Sequence, residues 1–186
     1  MTALTEAPIG TKTVWNIDPA HSLVEFTVRH MMVSNVKGRF GSVAGKIETT
    51  DDNIADAKVE VEIDVTSINT GNEQRDGHLR TADFFDAESF PNIKFVSKRV
   101  EDHGNGTFDL IGDLTIRGVT KEITLKGEDN GRGNTPQGAH VAGFSASTQL
   151  NRQDFGVKTN MALETGGVLV GDIVKINLEV EAAKAE

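Results

Sequence analysis

The chain has no cysteine and no tyrosine, one tryptophan and four prolines in 186 residues. Without cysteine there is no disulfide, no thiolate nucleophile and no cysteine-based metal site. Positive charge is scarce as well: 19 Lys and Arg against 28 Asp and Glu leave a net charge of -9. Nucleic acids and anionic membranes recruit clustered Lys and Arg, so neither is expected as the main partner. No window approaches the ~20 consecutive apolar residues of a bilayer-crossing helix, and the chain is not expected to span a membrane. Residues 1–12 have neither the basic start nor the apolar stretch of a secretion signal. They are read as a flexible tail before a single domain at 13–183, and the expected compartment is the cytoplasm. A chain of this length buries a core without cross-links.

What is present is alternation with a period of two, the mark of half-buried strands. Val24, Phe26, Val28 and His30 share one face of their segment, opposite Glu25, Thr27 and Arg29. Val59, Val61, Ile63 and Val65 oppose Glu60, Glu62, Asp64 and Thr66. Phe108, Leu110, Leu114 and Ile116 oppose Asp109, Asp113, Thr115 and Arg117; Val174, Ile176, Leu178 and Val180 oppose Lys175, Asn177, Glu179 and Glu181. Weaker alternation runs through 36–47, 93–100, 121–126 and 139–150. One dry and one wet face per strand is the antiparallel pattern. Asp102-His-Gly-Asn-Gly106 and Gly118 mark tight turns, and Gly127 to Gly138 reads as a longer polar loop. About eight strands with short links make an all-β sandwich or an up-and-down barrel. The barrel is favoured, because long strands that are wet on one face need little else to cover them.

One stretch, 64–91, interrupts this pattern. Thr70-x-x-Glu73 reads as a capping box opening a helical turn through about Arg80, weakened by Gly77. Phe84, Phe85 and Phe90 follow within seven residues. The segment reads as one short helix and a Phe-rich loop at the mouth of the barrel.

Several segments in order resemble the YceI-like family of lipocalin-like, polyisoprenoid-binding proteins. They are Trp15-Asn-Ile-Asp-Pro-Ala-His-Ser22 with Phe26-Thr-Val-Arg-His30, then Val36-Lys-Gly-Arg-Phe-Gly41. Next come Arg75-Asp-Gly-His-Leu-Arg80, Asp83-Phe-Phe-Asp86 and Phe90-Pro-Asn-Ile-Lys-Phe95. Gly112-Asp-Leu-Thr-Ile-Arg-Gly-Val-Thr-Lys121, Asn151-Arg-Gln-Asp-Phe-Gly156 and Gly171-Asp-Ile-Val174 complete the series. The resemblance implies an extended eight-stranded antiparallel barrel around a long apolar chain: a polyisoprenoid, a quinone precursor or a fatty acyl amide. Many members are dimers, so it also implies a homodimer as a partner to test for. Strands of ~11 residues at ~40° tilt stand ~28 Å tall, which matches a long alkyl chain.

Dry-face alternation and the family pattern together mark a lining of Phe26, Val28, His30, Phe40, Val59, Val61, Ile63, Phe84, Phe95, Phe108, Leu110, Leu114, Phe144 and Phe155. The same pattern suits a filled core, so alternation alone does not establish a cavity. His30 either meets a ligand head group or is a structural histidine. Arg75, Asp76 and His78 either form a polar gate with His30 or cap and pair on the surface. No cofactor or metal is expected, since His21, His103 and His140 have no ligand spacing. Asp154-Phe-Gly156 mimics a kinase metal motif but lacks the partners, and Ser145 and Ser147 have no nucleophile elbow. The expected function is non-enzymatic carriage or sequestration of a long apolar lipid. An enzyme acting on a lipid-linked substrate, through His30, Arg75 and His78, and a filled-barrel interaction module stay open beside it.

Overall fold

The computed structural model describes residues 10–186; residues 1–9 of the expected tail lie outside them. The elements in order are β1 Lys12–Ile17, β2 Leu23–His30, β3 Ser34–Phe40, β4 Val43–Thr50, β5 Asn53–Asp64, β6 Ile68–Asn69, α1 Glu73–Arg80, β7 Asn92–Asp102, β8 Thr107–Ile116, β9 Val119–Asn134, β10 His140–Asn151 and β11 Val170–Lys184. Strand β1 begins one residue before the expected domain start, and the Thr11 amide is already tied to the Asp51 carboxylate at 2.8 Å.

Eight strands close a ring in the order β1-β4-β5-β7-β8-β9-β10-β11, sealed by antiparallel pairs from Trp15–Lys184 to Ile17–Ala182. All pairings between neighbours are antiparallel, as the wet-and-dry alternation predicts. The three further strands carry the wall beyond the ring. Strand β11 is 15 residues long and pairs with β1 near its end and with β2 before that. Strand β3 pairs with β2, and β6 with β3. The break between β1 and β2 has a local cause. Pro19 has no N–H to give to a ladder, and the Asp18 carboxylate caps a single 3-10 turn by accepting from the Ala20 amide at 2.9 Å.

Up-and-down connectivity separates two ends. The turns at 51–52, 103–106 and 135–139 close the bottom. The 31–33 hairpin tip, the segment 65–91, the 117–118 turn and the loop 152–169 form the top.

Two local expectations are corrected. The stretch 127–138 is not one loop: β9 continues to Asn134, and the turn is only 135–139, where the Thr135 amide donates to the Ala139 carbonyl at 2.8 Å. Gly127 is a strand residue opposite Phe108, and its missing side chain makes room for that ring; a Cβ there would sit 2.4 Å from it. The cap of α1 is Asn72, whose side chain accepts from the Arg75 amide at 2.9 Å, and not Thr70. Thr70 is engaged elsewhere, by the Asp76 carboxylate.

The core is the barrel interior. Phe40, Ile93, Phe95, Phe108, Leu110, Leu114, Leu125 and Phe155 are all buried there. Outward positions carry charges paired across strands, such as Lys98 with Asp113 at 3.1 Å and Glu122 at 3.0 Å. A lipid-embedded barrel has the reverse arrangement, an apolar outer band. Among the described residues no helix is long and apolar enough to cross a membrane.

Candidate functional site: an apolar cavity along the barrel axis

The inward faces do not fill the barrel. They leave a cavity of about 280 Å³ that runs from the bottom turns to the top rim, near the lower end of the usual range for ligand sites. Its wall includes Phe26 and Val28 of β2, Phe40 of β3, Val59, Val61 and Ile63 of β5, Phe95 of β7, Phe108, Leu110 and Leu114 of β8, and Phe144 of β10. Phe84 and Phe155 add to it from the top segments. These are the expected lining residues apart from His30. That histidine ends β2, paired with Ser34 and Val170, and does not line the cavity.

Aromatic packing narrows the top. Phe85 stands edge-on to Phe40 at 5.9 Å, and Phe40 meets Phe26 at 5.6 Å. The Phe-rich loop is anchored to the β8–β9 turn: Arg117 donates to the Phe84 carbonyl at 2.5 Å, and the Phe90 ring lies against Gly118. At the bottom the Arg132 guanidinium lies 5.2 Å from the Phe144 ring centre and 5.7 Å from that of Trp15. Asp129 holds it there through a 2.7 Å bond. Trp15 is 5% exposed and packs at this end with Ile47, Ala57, Ala142 and Ala182.

Few polar atoms face this interior. Ser22, Thr49, Thr148, Arg132 and Arg152 supply them. Arg152 is 7% exposed and spends its donors on backbone carbonyls: Gly171 at 2.9 Å, Val157 at 2.7 Å and Thr159 at 3.0 Å. It thereby staples the loop 152–169 to the rim. Burial pulls its guanidinium below the ordinary arginine range, with Asp172 opposing. The Thr49 hydroxyl is buried without a hydrogen-bond partner among the described residues.

The four residues of the expected polar gate are not brought together. Asp76 accepts from the Thr70 amide at 2.9 Å and hydroxyl at 2.5 Å, and Arg75 donates to the same hydroxyl at 2.7 Å. His78 pairs with Asp83 at 2.9 Å and packs edge-on to Phe84 at 5.1 Å. These bonds brace α1 and the Phe-rich loop as one unit, and His30 makes no hydrogen bond to any of the three among the described residues. Arg75, Asp76 and His78 do not line the cavity either, although Leu79 of α1 does. Among the described residues the cavity wall carries no His, Asp or Glu.

Sequence reasoning passed over Arg132, Arg152 and Thr49. Arg132 sits in the stretch read as a loop, and Arg152 in a motif whose only signal was the family pattern. One cluster was beyond sequence: Asp18, His21 and Glu181 meet on the surface, with His21 Nδ1 2.7 Å from Asp18 and 3.9 Å from Glu181. The hydrogen bond to Asp18 raises the His21 pKa and lowers that of Asp18. The contact latches the β1–β2 turn to β11.

Comparison with known proteins agrees with this architecture. The sequence model of the YceI-like domain matches residues 15–182. A UPF0312 protein of Staphylococcus aureus (strain MSSA476) is 39% identical over 175 residues, 94% of this chain and 99% of that protein. A UPF0312 protein of Vibrio parahaemolyticus is 44% identical over 138 residues, 74% of this chain and 73% of that one. Among solved structures, the Campylobacter jejuni YCEI protein superposes with a TM-score of 0.71 at 34% identity, covering 85% of this chain and 90% of that one. A Saccharophagus degradans domain described as polyisoprenoid-binding shares the fold, with a TM-score of 0.67 at 15% identity over 92% of this chain and 98% of that one.

Proposed function

Because this chain belongs to the YceI-like family, and its barrel is hollow, we propose that it binds one long-chain apolar lipid inside the barrel and carries or sequesters it without transforming it. The observation that carries this reading is the cavity wall: aliphatic and phenylalanine side chains line it from bottom to rim, with few polar groups. Such a wall recognises hydrocarbon by burial and by shape. Each buried CH₂-sized group contributes roughly 0.8 kcal/mol. Four or five isoprene units then offset an association cost of roughly 4–15 kcal/mol with no charged anchor. The ligand named for the Saccharophagus domain supports a chain of isoprenoid type; a quinone precursor or fatty acyl amide has the same apolar body.

The rival readings draw less support. An enzyme needs His30, Arg75 and His78 around a common point, but Arg75 binds Thr70, His78 pairs with Asp83, and His30 stands at the end of β2. A pure interaction module needs a filled interior, and this one is hollow.

Native mass spectrometry before and after organic extraction tests the proposal. The expected result is one bound lipid per barrel, removed by extraction and restored by a prenyl alcohol or quinone. Protein that is empty as purified and takes up no prenyl chain sinks the reading.

A further inference from the structure

The charge of the whole chain hides an exception at the cavity mouth. Residues 26–40 carry Arg29, Lys37 and Arg39 and no carboxylate, in a chain of net charge -9. All three cations are exposed. Lys37 has Glu25 at 3.8 Å as a distant partner, and among the described residues Arg29 donates only to Asn35. At the tip of this hairpin stand Met31, Met32 and Val33, 46%, 52% and 76% exposed. Met31 and Met32 both take positive φ, 50° and 63°, a strained choice for residues other than glycine.

A second segment joins the tip. The Met31 amide donates to the Leu169 carbonyl at 2.8 Å, and the Leu169 amide to the Met161 carbonyl at 2.9 Å. The Met32 side chain rests on Gly167, where a Cβ would lie 2.9 Å from it. Met161 is itself 64% exposed, and Lys158 lies three residues before it. The apolar tip and the loop thus form one edge, with Arg29, Lys37 and Arg39 on the hairpin that carries the tip and Lys158 within the loop. That edge stands at the mouth, because Val28 and Val170, the cavity-lining neighbours of His30 and Leu169, lie just inside it. Acidic groups lie on another part of the rim, at Glu73, Asp83, Asp86 and Glu88, while Asp154 and Glu164 belong to the loop itself and Asp172 follows it in β11.

We infer that this edge docks on an anionic phospholipid bilayer, with Arg29, Lys37, Arg39 and Lys158 at the headgroups and Met31, Met32 and Val33 entering the interface. Unbranched, adaptable methionine suits a disordered apolar boundary. Basic charge beside an inserting apolar tip is the usual pairing at anionic interfaces. The inference rests on the lipid-carrying reading and adds its partner: a mouth held at the bilayer lets the chain enter without crossing water. Net acidity elsewhere keeps the docking weak, reversible and sensitive to salt.

Vesicle flotation tests it, using phosphatidylcholine alone and phosphatidylcholine with one-third phosphatidylglycerol. The wild-type chain is expected to float with the anionic vesicles at low salt and to be released at high salt. Met31→Ser/Met32→Ser/Val33→Ser and, separately, Arg29→Gln/Lys37→Gln are each expected to lower the bound fraction roughly tenfold. Both variants retain uptake of a detergent-dispersed prenyl chain, because neither touches the cavity. Wild-type protein that takes up the chain but binds neither vesicle overturns the docking edge and leaves the carrier reading standing. Wild-type protein that takes up no chain overturns the carrier reading, and the docking role with it. Variants that float as well as wild type overturn the proposal. So does a dimer that the triple serine variant converts to monomer in sedimentation, because the tip is then an interface between copies.

Discussion

Thr49 places a hydroxyl with no partner among the described residues inside a wall of hydrocarbon. A buried, unsatisfied polar group costs about 1–3 kcal/mol, whereas an apolar isostere at the same place costs nothing of that kind. Thr49→Val is therefore expected to stabilise the empty barrel by about 1 kcal/mol in denaturant unfolding. A clear loss of stability would mean that the hydroxyl has a partner in solution. The same variant separates packing from recognition: if a bound lipid carries a polar end to this level, Thr49→Val weakens that lipid and leaves a pure hydrocarbon unaffected. Arg132 sits nearby in chemistry but not in logic. Its charge is already held by Asp129 and by the faces of Trp15 and Phe144, so it closes the floor of the cavity and is not a free anchor.

At the scale of elements, the 3-10 turn between β1 and β2 depends on pH in a definite direction. Its bond to Asp18 raises His21 above 6.5 and lowers Asp18 below 3.8. The contribution of His21 is complete below 6.5 and is lost as pH rises through its higher folded pKa. That of Asp18 is present above 3.8 and is lost as pH falls through its lower folded pKa. The latch therefore holds best between those two ordinary values and loosens toward alkaline pH. A proton NMR titration is expected to place the His21 midpoint above 6.5 and to return it toward 6.5 in Asp18→Asn; equal midpoints in the two proteins count against the latch. Strand β9 makes the complementary point about reading elements from sequence. The dry faces of β2, β5, β8 and β11 were legible as alternation, and with them the barrel and most of its cavity wall. Gly127, Gly131 and Gly133 reversed the reading of β9, because glycine signals a turn when its neighbours are unknown. Here Phe108 is the reason for Gly127, and that ring comes from another strand. Gly127→Ala puts a methyl into the ring and is expected to cost about 1–3 kcal/mol by overpacking, measured by chemical unfolding. Arg152 was illegible for the same reason, since the carbonyls it gathers at 157, 159 and 171 meet only in the folded loop.

For the whole molecule, a hollow core is a cost that a ligand removes. An empty apolar cavity forfeits the dispersion contacts that a filled one makes, so the free barrel and the loaded barrel should differ in stability by an amount set by mass action. At a free lipid concentration of about a hundred times Kd the gain is about 2.7 kcal/mol. For a chain of this size each kcal/mol moves Tm by about 2–4 °C, so loading is expected to raise Tm by roughly 5–11 °C. Ala146 offers the control. It lines the cavity from the middle of β10, opposite Leu178 and Gly127. Ala146→Phe fills part of the space with the protein's own side chain. The variant should keep the fold, lose lipid uptake and lose the ligand-dependent rise in Tm together. A wild-type Tm that is indifferent to extraction and reloading would mean that the lipid does not enter the barrel. A variant that still takes up lipid and still gains stability from it would place the lipid elsewhere on the molecule. Only the joint loss ties the stabilisation to the space that the inward faces enclose.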